Sequence, residues 1–190
     1  MVASINVRTA TYDDAGAIGH IQTTSWRATY QSVVPDSFLA NLSAIDKVAF
    51  WQRILTNADP AKAGDILVAR KDDPSDQTVS QTLGFISFGS ADDASENDTT
   101  TATELSKQGE LRAIYVDPQH LSEGVGRCLW MAAEERMIDM RYSTVVVSVF
   151  AANDRAIRFY HKAGFTKCQD GQTEIGGTVV PTLQLIKTLS

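Results

Sequence analysis

The sequence predicts an α/β fold (α+β in some classifications). We expect one domain over residues 1–190, with a mixed central sheet of about seven strands flanked by helices. Three observations predict it. Short β-branched runs alternate with longer stretches whose apolar residues recur at helical spacing. The second half of the chain reads strand, helix, strand, helix, strand. Between its first strand and first helix lies a Pro-to-glycine turn, "VDPQHLSEGVGR" at 116–127. At 190 residues, 43% apolar and 21% charged, the chain suits one well-packed globular domain and is short for two.

Each element has a local reason. "INVRT" (5–9) alternates and breaks at "YDD", an opening strand. From Asp13 to about Tyr30, the residues Ala17, Ile18, Ile21, Ser25, Trp26 and Ala28 form one helical stripe, with Asp13 or Asp14 as the cap. Pro35 interrupts, a short helix is expected over 36–41, and Ser43 caps a third helix running to about Thr56. "DILVAR" (65–70) and "TLGFISFG" (82–89) are strands separated by the polar "KDDPSDQTVSQ", and as neighbours they should pair antiparallel. Residues 90–108 hold almost nothing that offsets the entropy of ordering them, so an exposed, mobile insertion between strands is expected. A strand (110–116), a helix (124–141), a strand (143–150) and a helix (154–163) follow. Two last strands near 165–170 and 179–187 flank "GG" at 176–177, a hairpin signal. There is no internal repeat.

Composition excludes some function classes. Seventeen basic against 23 acidic residues give a net charge of −6, which argues against nucleic-acid binding and suits cationic, amine-bearing substrates. No apolar run approaches the roughly 20 residues that cross a bilayer, and "MVASINVRTATYDD" lacks a signal-peptide layout. Cys128 and Cys168 form neither a disulfide framework nor a metal-ligand spacing; free thiols and a cytoplasmic location are expected. His20, His120 and His161 have no spacing that suggests a metal or a triad, so no metal is expected.

The turn at 116–127 carries the first chemical signal. A helix start exposes unpaired N–H groups and the positive end of the helix dipole. Glycines let an anion approach those groups. Gly124, Val125, Gly126 and Arg127 then form a phosphate cradle, although two glycines also suffice for a tight turn. The segment lacks the third glycine of the dinucleotide fingerprint and the Gly-Lys-Ser/Thr ending of a P-loop.

"ELRAIYVDPQHLSEGVGRCLW" (110–130) resembles the acetyl-CoA-binding motif of the GNAT N-acetyltransferase superfamily. "VFAANDRAIRFYHKAGF" (149–165) is similar to the family's following motif, an Asn, then Ala-x-x-Phe-Tyr, then Gly-Phe. "SWRATYQSVVPDSFLANLS" (25–43) is similar to a subgroup with a Trp and a Tyr on the first helix. The resemblance spans nearly the whole chain except the insertion. It departs at Leu121, where the family has Gln or Arg as a phosphate partner.

The resemblance implies a site where strands 110–116 and 143–150 splay apart. Ile114, Tyr115 and Val116 would run beside the pantetheine, an amide at or near Val116 would stabilise the oxyanion, and Leu121, Ser122 and Glu123 would complete the phosphate loop. Glu110 corresponds to the catalytic glutamate of the histone-acetyltransferase branch, a general base acting through water; it also reads as a strand-edge carboxylate paired with Arg112. Tyr160 corresponds to the general acid that protonates the CoA thiolate, and also reads as a core aromatic beside Ala156, Ile157 and Ala163. Asn153 is a natural N-cap that in relatives also meets the pantetheine arm or a catalytic water. Trp26 and Tyr30, four apart on one helix face, either wall the acceptor pocket or pack in the core.

The expected function is therefore acetyl transfer from acetyl-CoA to a primary amine of a small molecule, polyamine or protein, by direct attack in a ternary complex. A non-catalytic CoA-binding regulatory or sensor module is the alternative, and a longer acyl-CoA is a third reading. Relatives are often homodimers, and the C-terminal strand pair offers an edge for a second copy.

Overall fold

The computed structural model describes residues 5–56, 65–73, 76–91 and 107–190. Seven strands, β1 (Ile5–Thr9), β2 (Asp65–Asp73), β3 (Asp76–Ser90), β4 (Lys107–Val116), β5 (Tyr142–Phe150), β6 (Thr166–Ile175) and β7 (Thr178–Thr188), form one sheet. Its order is β1-β2-β3-β4-β5-β7-β6. All neighbours are antiparallel except β4 and β5. The mixed α/β sheet expected from sequence is thus present. The hairpin signal is also met: Ile175 pairs Thr178 across Gly176 (φ 58°) and Gly177 (φ 80°), left-handed positions that only glycine occupies without strain.

Among the described residues, five helices flank the sheet: α1 (Ala15–Thr29), α2 (Asp36–Ala40), α3 (Ala44–Thr56), α4 (Val125–Asp139) and α5 (Asp154–Lys162). On one face Ala15, Ile18 and Ile21 of α1 and Trp51 of α3 bury against Ile66, Val68 and Phe85. On the other, Val125, Leu129, Ala133 and Met137 of α4 bury against Leu67, Leu83, Ile86 and Phe88. Alternate residues of β2, and of β3 from Phe85 onward, thus feed two cores; Leu83 is out of step because the β2–β3 ladder skips it between Gly84 and Thr82. A third, smaller cluster of Val34, Leu39 and Val180 joins the α1–α2 connection to β7, with Trp26, Tyr30, Phe38 and Phe150 at its edge.

Three expectations are corrected. The first helix does not begin at Asp13: Tyr12–Asp14 is a single 3-10 turn and α1 starts at Ala15. Asp14 makes no capping bond to α1; its carboxylate is drawn back to Arg8 (2.7 and 2.9 Å) and to the Thr11 amide (2.7 Å). The polar stretch 71–81 is mostly strand, because the β2–β3 ladder continues to Asp73 and Asp76 whatever its side chains prefer. Strand also claims both ends of the proposed insertion, where Ser90 pairs Gly109 and the Ala91 amide donates to Gln108 at 3.1 Å. The rest of that insertion, residues 92–106, lies outside the described residues.

Candidate active site

The two middle strands part company. The parallel β4–β5 ladder runs from Lys107 opposite Tyr142 to Glu110 opposite Val146 and stops there. Beyond it β4 stays with β3 as far as Val116 opposite Gly84, while β5 stays with β7 as far as Phe150 opposite Thr182. A bulge explains the divergence: Ser87 faces Ala113 and Phe88 faces Leu111, leaving Arg112 as the extra residue. A bulge bends its strand and increases local twist. The Asp117 amide donates to Leu83 at 2.8 Å, on the β3 side. Alternation then turns the peptide groups of Ile114 and Val116 the other way, into the gap. Ser25 Oγ on α1 donates to the Val116 carbonyl at 3.1 Å.

The gap opens into a cleft of about 920 Å³ that runs to the glycine turn. Asp117 accepts from the Gln119 amide at 3.0 Å, stabilising a 3-10 turn at Pro118–His120. Ser122 (φ 71°) and Gly124 (φ 87°) then reverse the chain into α4. A Cβ on Gly124 would meet nothing within 4 Å, so this glycine answers a dihedral need and not a steric one. The amides of Val125, Gly126 and Arg127 open α4 without helical partners. Arg127 lines the cleft with Arg155, Arg158 and Lys162 of α5, and Arg155 donates to Ser122 Oγ at 3.1 Å. Exposed amides and four cations fit a polyanion such as a pyrophosphate. Leu121 lines the cleft 38% exposed, while Glu123 faces His120 at 3.3 Å and is not among the lining residues.

At the other end three phenols converge. Tyr160 is 5% exposed, with its ring against Phe165 (5.5 Å) and Phe159 (5.4 Å), yet it lines the cleft. Burial, then the nearby Tyr115 and Tyr30, raise its pKa well above a phenol's ordinary value. Tyr115 is raised too, by burial first and then by Tyr30, against hydrogen bonds from Trp26 and Gln22. Burial raises Tyr30 against its bond from Asn153. Asn153 caps α5 by accepting from Ala156 N at 3.1 Å and gives Nδ2 to the Tyr30 hydroxyl at 3.2 Å. Trp26 packs edge-on to Tyr30 (4.9 Å) and Phe150 (5.9 Å) and gives Nε1 to the Tyr115 hydroxyl at 2.8 Å.

Glu110 occupies the last rung of the β4–β5 ladder. Its carboxylate is 3.7 Å from Arg112 Nε, and it is not among the residues lining the cleft. The structure therefore brings Tyr160, Asn153, Trp26, Tyr30, Ile114, Tyr115 and Val116 into one cleft with Leu121, Ser122 and Gly124–Arg127. Glu110 and Glu123 stand outside that lining. Sequence reasoning missed the Tyr115 side chain, since the bulge that resets β4's alternation has no sequence signature. It also missed Arg155 and Lys162, although 155, 158 and 162 share one helix face by spacing alone. Among the described residues no group of three or more His, Cys, Asp or Glu could hold a metal ion, and no helix is long and apolar enough to cross a membrane.

Comparison with known proteins agrees with this geometry. Residues 23–165 match the model of the "Acetyltransferase (GNAT) family". The chain is 26% identical over 192 aligned residues to the "Uncharacterized N-acetyltransferase YuaI" of Bacillus subtilis (strain 168), covering 97% of this chain and 98% of that one. Among solved structures, the PaiA N-acetyltransferase of Thermoplasma acidophilum in complex with coenzyme A superposes with a TM-score of 0.67 at 19% identity, over 97% of this chain and 99% of that one. YncA of Salmonella typhimurium, a putative acetyltransferase with its cofactor acetyl-CoA, gives 0.64 at 17% identity, over 98% and 94% of the two chains.

Proposed function

Because the chain belongs to the GNAT family of acetyltransferases, we propose that it transfers an acetyl group from acetyl-CoA to a primary amine within a ternary complex. The observation that carries this reading is the β4–β5 ladder, which ends at Glu110 and Val146 and opens into a cleft leading to the Gly124 turn. Acetyl-CoA supplies an activated thioester: as the amine's N–C bond forms, the C–S bond breaks, the nitrogen gives up a proton and the thiolate gains one.

The protein's part is to hold, orient and move protons. The amides of Val125, Gly126 and Arg127, with Arg155, Arg158 and Lys162, would hold the phosphates. The gap-facing peptide groups of Ile114 and Val116 would pair with the pantetheine amides as an added strand would, and a β4 amide would donate to the oxyanion. Tyr160 would protonate the leaving thiolate, since its raised pKa keeps the phenol neutral. Glu110 is proposed as the base, reached through water from the β4–β5 junction, in competition with its ion pair to Arg112. Trp26 and Tyr30 would wall the acceptor end.

A CoA-binding module without turnover is the second reading. It is favoured by Leu121, an exposed apolar side chain where the family carries a polar phosphate partner. Titration calorimetry with acetyl-CoA and thiol release over an amine panel separate the two. Binding with turnover supports the enzyme, binding without turnover supports the module, and no binding defeats both.

A further inference from the structure

The Tyr115 phenol lines the cleft with its oxygen already engaged. Trp26 Nε1 donates to it at 2.8 Å, and an indole N–H can only donate. The phenol therefore keeps its own O–H hydrogen for an acceptor in the cleft.

Neighbouring groups point to what it would bind. The Tyr30 hydroxyl accepts from Asn153 Nδ2 at 3.2 Å and keeps its own hydrogen to donate. Arg112, on the same strand as Tyr115, also lines the cleft, with its guanidinium 3.7 Å from the Glu110 carboxylate and bonded to the Ser90 carbonyl at 3.0 Å. Two half-buried O–H donors suit a carboxylate, which accepts hydrogen bonds on two oxygens. A polyamine has no oxygen to offer them.

Resting on the acetyltransferase reading, we propose that Tyr115 is a specificity-determining residue that donates to a carboxylate of the acceptor. The substrate class is then an amine bearing a carboxylate close to its amino group, as in a free amino acid.

The test is a thiol-release assay on matched pairs: phenylalanine against 2-phenylethylamine and leucine against 3-methylbutylamine, with spermidine as the polycation. Wild type should favour the carboxylated partner in kcat/KM by about tenfold to a hundredfold, because an analogue lacking the oxygen leaves half-buried donors unpaired. Tyr115→Phe should erase that preference by slowing the carboxylated partner much more than the decarboxylated one. Equal or faster turnover of the decarboxylated partners or spermidine in wild type overturns the proposal even if Tyr115→Phe fails to fold. A Tyr115→Phe variant that slows both partners equally, or neither, overturns it as well. Acetyl-CoA binding without turnover of any amine defeats the acetyltransferase reading itself, a failure distinct from a reversed preference.

Discussion

Asn153 and Tyr30 are joined across the cleft: the amide that caps α5 through Oδ1 gives its nitrogen to the Tyr30 hydroxyl at 3.2 Å. One side chain therefore sets both the start of the helix that bears Tyr160 and the position of the phenol at the C-terminal end of α1. The first prediction separates these two jobs. Asn153→Ala removes both and should lower stability by about 1 kcal/mol through the lost cap. Asn153→Asp keeps a capping oxygen and loses the donor to Tyr30. Its melting temperature should stay near wild type while KM for the amine rises several-fold, measured by thermal unfolding and steady-state kinetics.

Tyr160→Phe keeps the ring packed on Phe165 and Phe159 and deletes only the hydroxyl. Turnover at saturating substrates should fall on the order of a hundredfold, with the acetyl-CoA Kd unchanged. The raised pKa adds a pH statement. A phenol titrating above the ordinary value of about 10 is still protonated below it, so kcat should show no alkaline loss from this group up to about pH 10. Wild-type turnover in the Tyr160→Phe variant removes the acid role.

Gly124→Ala places a Cβ in open space but forces a side-chain residue to φ 87°. The cost is a backbone one, about 1 kcal/mol, and the amides of Val125 and Gly126 shift with it. Acetyl-CoA should bind about tenfold more weakly by calorimetry. Leu121→Gln should act in the opposite sense, tightening acetyl-CoA a few-fold by restoring a polar partner at an exposed position.

Acid sensitivity should centre on Asp14. Burial alone would raise its pKa, but the paired bonds from Arg8 and those from the Thr11 amide and hydroxyl outweigh it and hold the carboxyl below its ordinary value. The folded-state pKa lies under the unfolded one, so this stabilisation is complete above the unfolded pKa, near 4. It is lost as pH falls through the lowered folded value. Asp14→Asn should melt lower than wild type at neutral pH, and the gap should close on acidification below about pH 4.

Element by element, the strands and helices were legible because their periods are local. "TVVVSVF" declares a buried strand, and "NDRAIRFYHKAGF" a capped helix ended by Gly164. The glycine turn was legible for the same reason: a left-handed φ at Gly124 restricts residue type within a few positions. Glu110 was less so. Its spacing to the turn and its pairing with Arg112 were visible, but its place outside the cleft lining was not.

The α/β class, the glycine turn into α4 and the family were all carried by short-range patterns of residue type. The tertiary structure alone decided that β7 inserts between β5 and β6, and that β4 leaves β5 after Glu110. It alone decided that Trp26 of α1 gives its indole N–H to the phenol of Tyr115 on β4. Those outcomes rest on which strand edges and lone pairs meet at long range, and no local pattern of residues encodes such a meeting.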